Sequence, residues 1–223
     1  MAKHKLVDLA GTAVHDRIVP ELLAYFSANG ADYLSRPDAD SEALDIVRRV
    51  AGEEKFATRQ EVVDFMVSRV KARDLDSTHL YVMGCANHGG FDSGELQAEA
   101  FEDVPGAFEN WKQNNQGIWI YSNGSAREQK KILETTTQGD LNPPIKGYFD
   151  TNQVGKKTES ESYRRICDKL DLTPCSIVFL SDRVEELDAA YHANMNVVLV
   201  KRPGNKDQPA NDYKAVTSFS QVN

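Results

Sequence analysis

No apolar run in this chain approaches the roughly 20 residues a helix needs to span a bilayer, so nothing in its 223 residues reads as a transmembrane segment. Cysteine is scarce. Cys85, Cys167 and Cys175 are odd in number and lack metal-ligand spacing, which argues against a disulfide framework and for free thiols in a reducing compartment. A dense Lys/Arg tract is missing and the formal net charge is −8, which argues against nucleic acid as the main partner. Internal repeats and low-complexity segments are also lacking. The start, Met1-Ala2-Lys3-His4-Lys5, is basic but leads into only a few apolar residues, too few for a secretory signal. The expectation is a soluble cytoplasmic protein, with the nucleus open to a eukaryotic chain, acting as a monomer without membrane or nucleic-acid partners.

What is present alternates between strand and helix patterns. Short apolar runs occur around Val7-Asp8-Leu9, at Gly117-Ile118-Trp119-Ile120-Tyr121, at Ile177-Val178-Phe179-Leu180 and at Val197-Val198-Leu199-Val200. Helical patterns separate the last three. Ser125 with Glu128, and Thr158 with Glu161, have the spacing of capping boxes. Behind the second pair, Tyr163, Ile166, Cys167 and Leu170 fall on one helical stripe. Short buried strands joined by helices read as a doubly wound parallel α/β sheet.

Between the first run and the second the pattern changes. From about Asp16 to about Asp103 the chain is helical with almost no strand signal. Thr58 with Glu61 caps a helix that carries Val62, Val63, Met66 and Val70 on one face, and Arg36 to Ser41 forms a break. This gives a core of residues 1–15 and 104–223 with a helical cap, 16–103, inserted after the first strand. A helical insert beside an active site is a natural lid. The stretch Asn205 to Asn211 is polar and reads as a loop.

In parallel sheets of this kind, ligands sit beyond the carboxyl ends of the strands. Asp8, Ser122 and Asp182 all fall there. Together they suit phosphoryl transfer, which needs an ionised nucleophile, donors to the phosphoryl oxygens and a divalent cation. Asp8 fits the nucleophile. Ser122 fits a hydroxyl donor at a strand-to-helix turn. Lys156 and Lys157 are both candidates for the added positive charge. Asp182 fits a ligand of Mg²⁺, a cation held by few carboxylates and several waters.

The order Asp8-Leu9-Ala10-Gly11-Thr12, a hydroxyl after a strand, a lysine and an acidic strand end resembles the haloacid-dehalogenase-like hydrolases. The second half is similar to the enolase-phosphatase (acireductone synthase) family of methionine salvage. The matching segments include Tyr121-Ser122-Asn123-Gly124-Ser125, Gly147-Tyr148-Phe149-Asp150-Thr151, Gly155-Lys156-Lys157-Thr158-Glu159-Ser160-Glu161, Phe179-Leu180-Ser181-Asp182, Arg202-Pro203-Gly204-Asn205 and Thr217-Ser218-Phe219-Ser220. The resemblance implies Mg²⁺-dependent enolisation and dephosphorylation of a diketo/enol phosphopentane, a small-molecule phosphate ester, through an aspartyl-phosphate on Asp8. It also implies a metal site made by Asp8, Asp182 and the backbone carbonyl of Ala10. Ser122 and Asn123 would bind phosphate, Lys157 rather than Lys156 would be the conserved-type lysine, and Glu186 would stand behind the site.

Four departures cluster at the positions that the resemblance marks as chemical. The family usually has glutamate two residues after the nucleophile, where this chain has Ala10. That carboxylate is the family's general acid and base, whose loss typically costs about 10²–10⁴ in rate. Asn87 stands where the family has tryptophan, Gln97 stands where it has lysine, and Asn123 replaces the motif's second serine. Two other readings stay open. One is a non-catalytic protein that binds a phosphorylated ligand. The other is a hydrolase similar to phosphonoacetaldehyde hydrolase, whose motif also has alanine at this position and which uses a cap lysine; Lys55 and Lys71 are the candidates for it.

Overall fold

The structure, a computed structural model, describes residues 4–222. The first three residues of the basic N-terminal segment therefore lie outside the described residues. In chain order the elements are β1 (His4–Val7), α1 (Ile18–Tyr33), α2 (Ser41–Glu54), α3 (Arg59–Lys71), α4 (Ser77–Ser93), α5 (Val104–Gln113), β2 (Ile118–Ser122), α6 (Ala126–Glu134), β3 (Gly147–Asp150), α7 (Thr151–Val154), α8 (Ser160–Leu170), β4 (Ile177–Ser181), α9 (Val184–His192), β5 (Asn196–Val200) and β6 (Ala215–Val216).

The strands form one parallel six-stranded sheet in the order β3-β2-β1-β4-β5-β6. Period-two alternation sends successive side chains to opposite faces. Val7, Ile118, Ile120, Val178 and Leu180 pack with Ala107, Phe108 and Trp111 of α5 and with Ile132 and Leu133 of α6. Leu6, Trp119, Tyr121, Ile177 and Phe179 pack on the other face with Tyr163, Ile166 and Cys167 of α8 and Leu187 of α9. The central strands therefore read as continuous apolar runs, which is why they are legible in the sequence. The two edge strands β3 and β6 are not, because each is short and carries at most two buried residues.

β1 sits between β2 and β4, with Val7 level with Ile120 on one side and Leu180 on the other. The chain leaves β1 toward β2 and later returns to β4 on the other side, so the order reverses around β1. That crevice, at the carboxyl ends, is where such sheets bind ligands.

The four helices α1 to α4 bury Phe26, Val47, Val50, Val62, Val63, Met66, Val82 and Met83 in a cluster of their own. The Thr58–Glu61 capping box forms in full at the start of α3, and Asp40 and Asp76 cap α2 and α4. The segment 94–103, expected to continue the helical pattern, has no helix. It runs back along the sheet core, where Val14 and Ala100 form an antiparallel bridge and Leu96, Ala98 and Ala100 are buried with the sheet residues. Among the described residues no helix is long and apolar enough to cross a membrane. Cys85 and Cys167 are buried free thiols and Cys175 is exposed.

Two of the capping expectations resolve differently. α8 starts at Ser160, with Glu159 at its N-cap and no side-chain cap. The hydroxyls of its first turn reach backward instead: Ser162 donates to the Lys156 carbonyl at 2.7 Å and Tyr163 to the Lys157 carbonyl at 2.8 Å. These bonds fix the lysine turn, and Thr158 belongs to that turn. At α6 only half of the box forms. Ser125 accepts from the Glu128 N–H at 3.2 Å, while the Glu128 carboxylate turns away to Asn87.

Candidate active site

Asp8 is the first residue beyond β1 and is 5% exposed. Its N–H donates to the Leu180 carbonyl at 2.9 Å, which ties it to the end of β4. One carboxylate oxygen takes a short ion pair from Lys157, and the other accepts from the Thr12 hydroxyl at 3.2 Å. Thr12 Oγ1 in turn accepts from the Asp182 N–H at 3.0 Å. One hydroxyl thus spans the ends of β1 and β4.

Lys157 is 4% exposed and contacts both Asp8 and Glu186, the latter at 2.7 Å. Its neighbour Lys156 is exposed, which separates the two candidates. The turn that carries Lys157 is pinned by Tyr121, whose hydroxyl donates to the Gly155 carbonyl at 2.7 Å. Gly155 sits at φ 107°, and a Cβ there would meet Ser162 Oγ at 2.6 Å, so glycine is required. Burial works against the Lys157 ammonium, but the charges of Asp8 and Glu186 more than offset it and hold the group above the lysine range. Glu186 also accepts from Ser181 at 2.8 Å. Burial raises its carboxyl above the usual range against the pull of Lys157.

Asp182 does not cap α9, whose N-cap is Arg183. Its carboxylate accepts from Asn205 Nδ2 at 3.1 Å, and the same amide donates to the Gly11 carbonyl at 2.7 Å. Gly11 has φ 79°, and a Cβ there would lie 2.7 Å from Asp182 Oδ2. Asp182 therefore packs directly on the Gly11 backbone, next to residue 10. Behind this, Arg202 donates to the Thr12 carbonyl at 3.0 Å and pairs with Asp103 at 2.8 Å, stacked between Phe101 and Phe219. The Arg202-Pro203-Gly204-Asn205 segment is thus a brace for the β1 loop rather than a set of reacting groups.

Asp8, Ala10, Ser122, Asn123, Lys157, Asp182 and Glu186 all line one cavity of about 530 Å³. Its far wall is apolar, from Ile18, Leu22 and Leu23 of α1, Leu80 and Met83 of α4 and Ile132 of α6. The polar loop after β5 contributes Lys206, Asp207 and Gln208 at the rim. Lys55, the C-cap of α2, and Lys71, the last residue of α3, do not line it and are exposed. The structure thus places neither lysine of that pair at the cavity wall. Sequence reasoning passed over Thr12 and Asn205, which were legible only as letters within longer motifs, and Glu128, which read as a helix cap.

Burial, then the charges of Asp8 and Glu186, push the Asp182 carboxyl from the ordinary 3.8 up to about 8. Three buried or half-buried carboxylates face the Lys157 ammonium, a surplus of negative charge that a cation would relieve. Among the described residues, no group of three or more His, Cys, Asp or Glu side chains forms a metal cage. A hard ion bound by one or two carboxylates, a carbonyl and waters fits the donors Asp8, Asp182 and the carbonyl of residue 10.

The family model for haloacid dehalogenase-like hydrolases matches residues 3–194. The enolase-phosphatase E1 of Drosophila mojavensis is 36% identical over 222 residues, covering 92% of this chain and 87% of that protein. The enolase-phosphatase E1 of Persephonella marina is 31% identical over 229 residues, covering 100% of this chain and 99% of that protein. Among solved structures, the UTR4 protein of Saccharomyces cerevisiae superposes with a TM-score of 0.79 at 27% identity over the whole of both chains.

Proposed function

The chain belongs to the haloacid dehalogenase-like hydrolases and, within them, to the enolase-phosphatase family, and from that premise we propose that it is a phosphatase of methionine salvage that transfers the phosphoryl group of a diketo/enol phosphopentane to Asp8. The observation that carries this reading is the Asp8 carboxylate held between Lys157 and Thr12 at the mouth of one cavity with Ser122 and Asp182.

Asp8 attacks the phosphorus, and the electron pair of the breaking ester bond leaves with the substrate oxygen. The Ser122 hydroxyl and the backbone N–H groups of the turn that follows it donate to the phosphoryl oxygens, supported by Asn123. Lys157 holds the Asp8 carboxylate in place and adds positive charge beside the transferring group. Mg²⁺, held by Asp8, Asp182 and the residue 10 carbonyl, would supply further neutralisation of phosphoryl charge. The α1–α4 helices act as the lid that excludes water, and their apolar wall suits the alkyl portion of the substrate. Water then cleaves the aspartyl phosphate. Ala10 provides no carboxylate for proton transfer in either step. An enol-type oxygen is a better leaving group than an alkoxide, so the first step tolerates that loss better than the second.

The test is a phosphate-release screen over enol, sugar and simple alkyl phosphates with Mg²⁺. Enol phosphates are expected to be hydrolysed fastest, and chelation of the metal should abolish release. Tight binding of the phosphates with no release from any of them would point instead to a non-catalytic binding protein.

A further inference from the structure

The cavity contains a second carboxyl group that the phosphatase reading leaves unused. Glu128 is the third residue of α6 and is 6% exposed, yet its side chain lines the cavity alongside Gly124, Asn123 and Ser122. A residue at this place usually returns a hydrogen bond to the helix start. Here the carboxylate accepts from Asn87 Nδ2 of α4 at 3.2 Å instead. It is wedged between two glycines. A Cβ on Gly84 would lie 3.1 Å from Glu128 Cβ and 3.2 Å from Cδ, and a Cβ on Gly124 would lie 2.6 Å from Oε2. Oε2 thus rests on the backbone of the turn that follows β2, the strand neighbouring β1 and Asp8.

The partner of this carboxyl suits a group that changes protonation. Asn87 is fully buried and its Oδ1 has no hydrogen-bond partner among the described residues. An amide can donate through Nδ2 to a carboxylate, or accept through Oδ1 from a carboxylic acid, so it holds either form. Among the described residues no cation pairs with Glu128: Arg127 reaches Asp40, and Lys131 reaches Asp92 and Glu134. Burial lifts the Glu128 carboxyl to about 7 against the Asn87 hydrogen bond. Other titratable groups lie on the elements packed around it, and the Glu128 charge adds to the burial that raises Cys85. Burial pushes Cys85 of α4 up to about 11 and raises Tyr121 of β2 and Tyr148 of β3, burial lowers His88 of α4, and Asp150 of β3 is engaged with the N–H groups of Ala126 and Gln153.

We propose that Glu128 is the proton-transfer group of this site, supplying from α6 the carboxyl that Ala10 cannot supply from the β1 loop. The inference rests on the phosphatase reading. In the first step the Asp8–phosphorus bond forms, the ester bond breaks with its electron pair going to the leaving oxygen, and the Glu128 proton passes to that oxygen. In the second, a water oxygen bonds phosphorus, the Asp8–phosphorus bond breaks with its pair returning to the carboxylate, and the water's proton restores Glu128 to the acid. Protons and electrons balance over the cycle with water as the only added reactant. The pairing of Ala10 with a buried Asn87–Glu128 couple makes this a relocated acid rather than a missing one.

The experiment compares the full chain with Glu128→Gln, Ala10→Glu and the double variant, each with Mg²⁺, on an alkyl phosphate and on p-nitrophenyl phosphate. Glutamine keeps the shape and the Asn87 contact but carries no titratable proton. Glu128→Gln is expected to slow turnover of the alkyl ester by about 10²-fold and to remove the ionisation near neutrality from its pH–rate profile. On p-nitrophenyl phosphate, whose leaving group needs no proton, it should give a burst equal to the enzyme concentration and then slow turnover. Adding Ala10→Glu should restore the alkyl-ester rate of the Glu128→Gln protein by at least about tenfold, more than it accelerates the parent. Equal rates and pH profiles for parent and Glu128→Gln would overturn the role of Glu128 while leaving the phosphatase reading intact. Loss of activity with neither burst nor rescue would also overturn it, as a structural role. A parent chain that releases phosphate from no ester would overturn the phosphatase reading itself.

Discussion

Asp8→Asn is expected to lower kcat for phosphate release by at least about 10⁴-fold, the scale of removing a covalent nucleophile. The change is nearly isosteric. The side-chain oxygen of asparagine can still accept from Thr12, and Lys157 keeps its pair with Glu186, so the fold is expected to persist. Initial rates of phosphate release, with a circular dichroism spectrum matching the parent, check it. A variant within about tenfold of the parent would mean that Asp8 is not the nucleophile.

Lys157→Met carries the second large effect, and it falls on stability as well as rate. Lys157 is the cation that contacts both Asp8 and Glu186, and all three side chains are buried. Removing it leaves two carboxylates facing each other without compensation, which in buried pairs costs about 3–5 kcal/mol. The pH dependence gives the sign. Burial and like charge raise the Asp182 and Glu186 carboxyls in the fold. A raised carboxyl contributes stability that is complete below its unfolded value and is lost as pH rises through the folded one. The deficit of Lys157→Met relative to the parent should therefore be large at neutral pH and shrink toward about pH 4, as the carboxyls protonate in both states. Mg²⁺ should offset part of it. Turnover should fall by about 10²–10³-fold, the usual consequence of removing one charge-stabilising donor. Urea unfolding at several pH values, with and without Mg²⁺, measures the first effect. A deficit that is small or independent of pH would contradict the charge balance described for this site.

The order of groups along the sheet was legible because each follows an apolar strand buried on both faces, and such strands announce themselves as uninterrupted runs. Asp8, Ser122 and Asp182 follow from that logic. β3 and β6 escaped because short edge strands with at most two buried residues leave no run to see. The choice of Lys157 over Lys156 came from resemblance, and its physical basis is tertiary: the turn is pinned by Tyr121, Ser162 and Tyr163 so that only the second lysine enters the core. Thr12 and Asn205 act through contacts with residues far away in sequence, which no local pattern encodes. Glu128 was visible as a letter but was read in the wrong role. The spacing from Ser125 is that of a capping box, and only the approach of α4 through Gly84 reveals that the carboxylate belongs to the cavity.

The most direct test of the central claim is the mass of the peptide that contains Asp8, taken after acid quenching of the chain incubated with Mg²⁺ and a phosphoryl donor. A phosphoryl group on Asp8 is expected, dependent on Mg²⁺, absent from Asp8→Asn and longer-lived in Glu128→Gln than in the parent. Steady release of phosphate with no phosphoryl group on Asp8, or with it on another residue, would contradict the account.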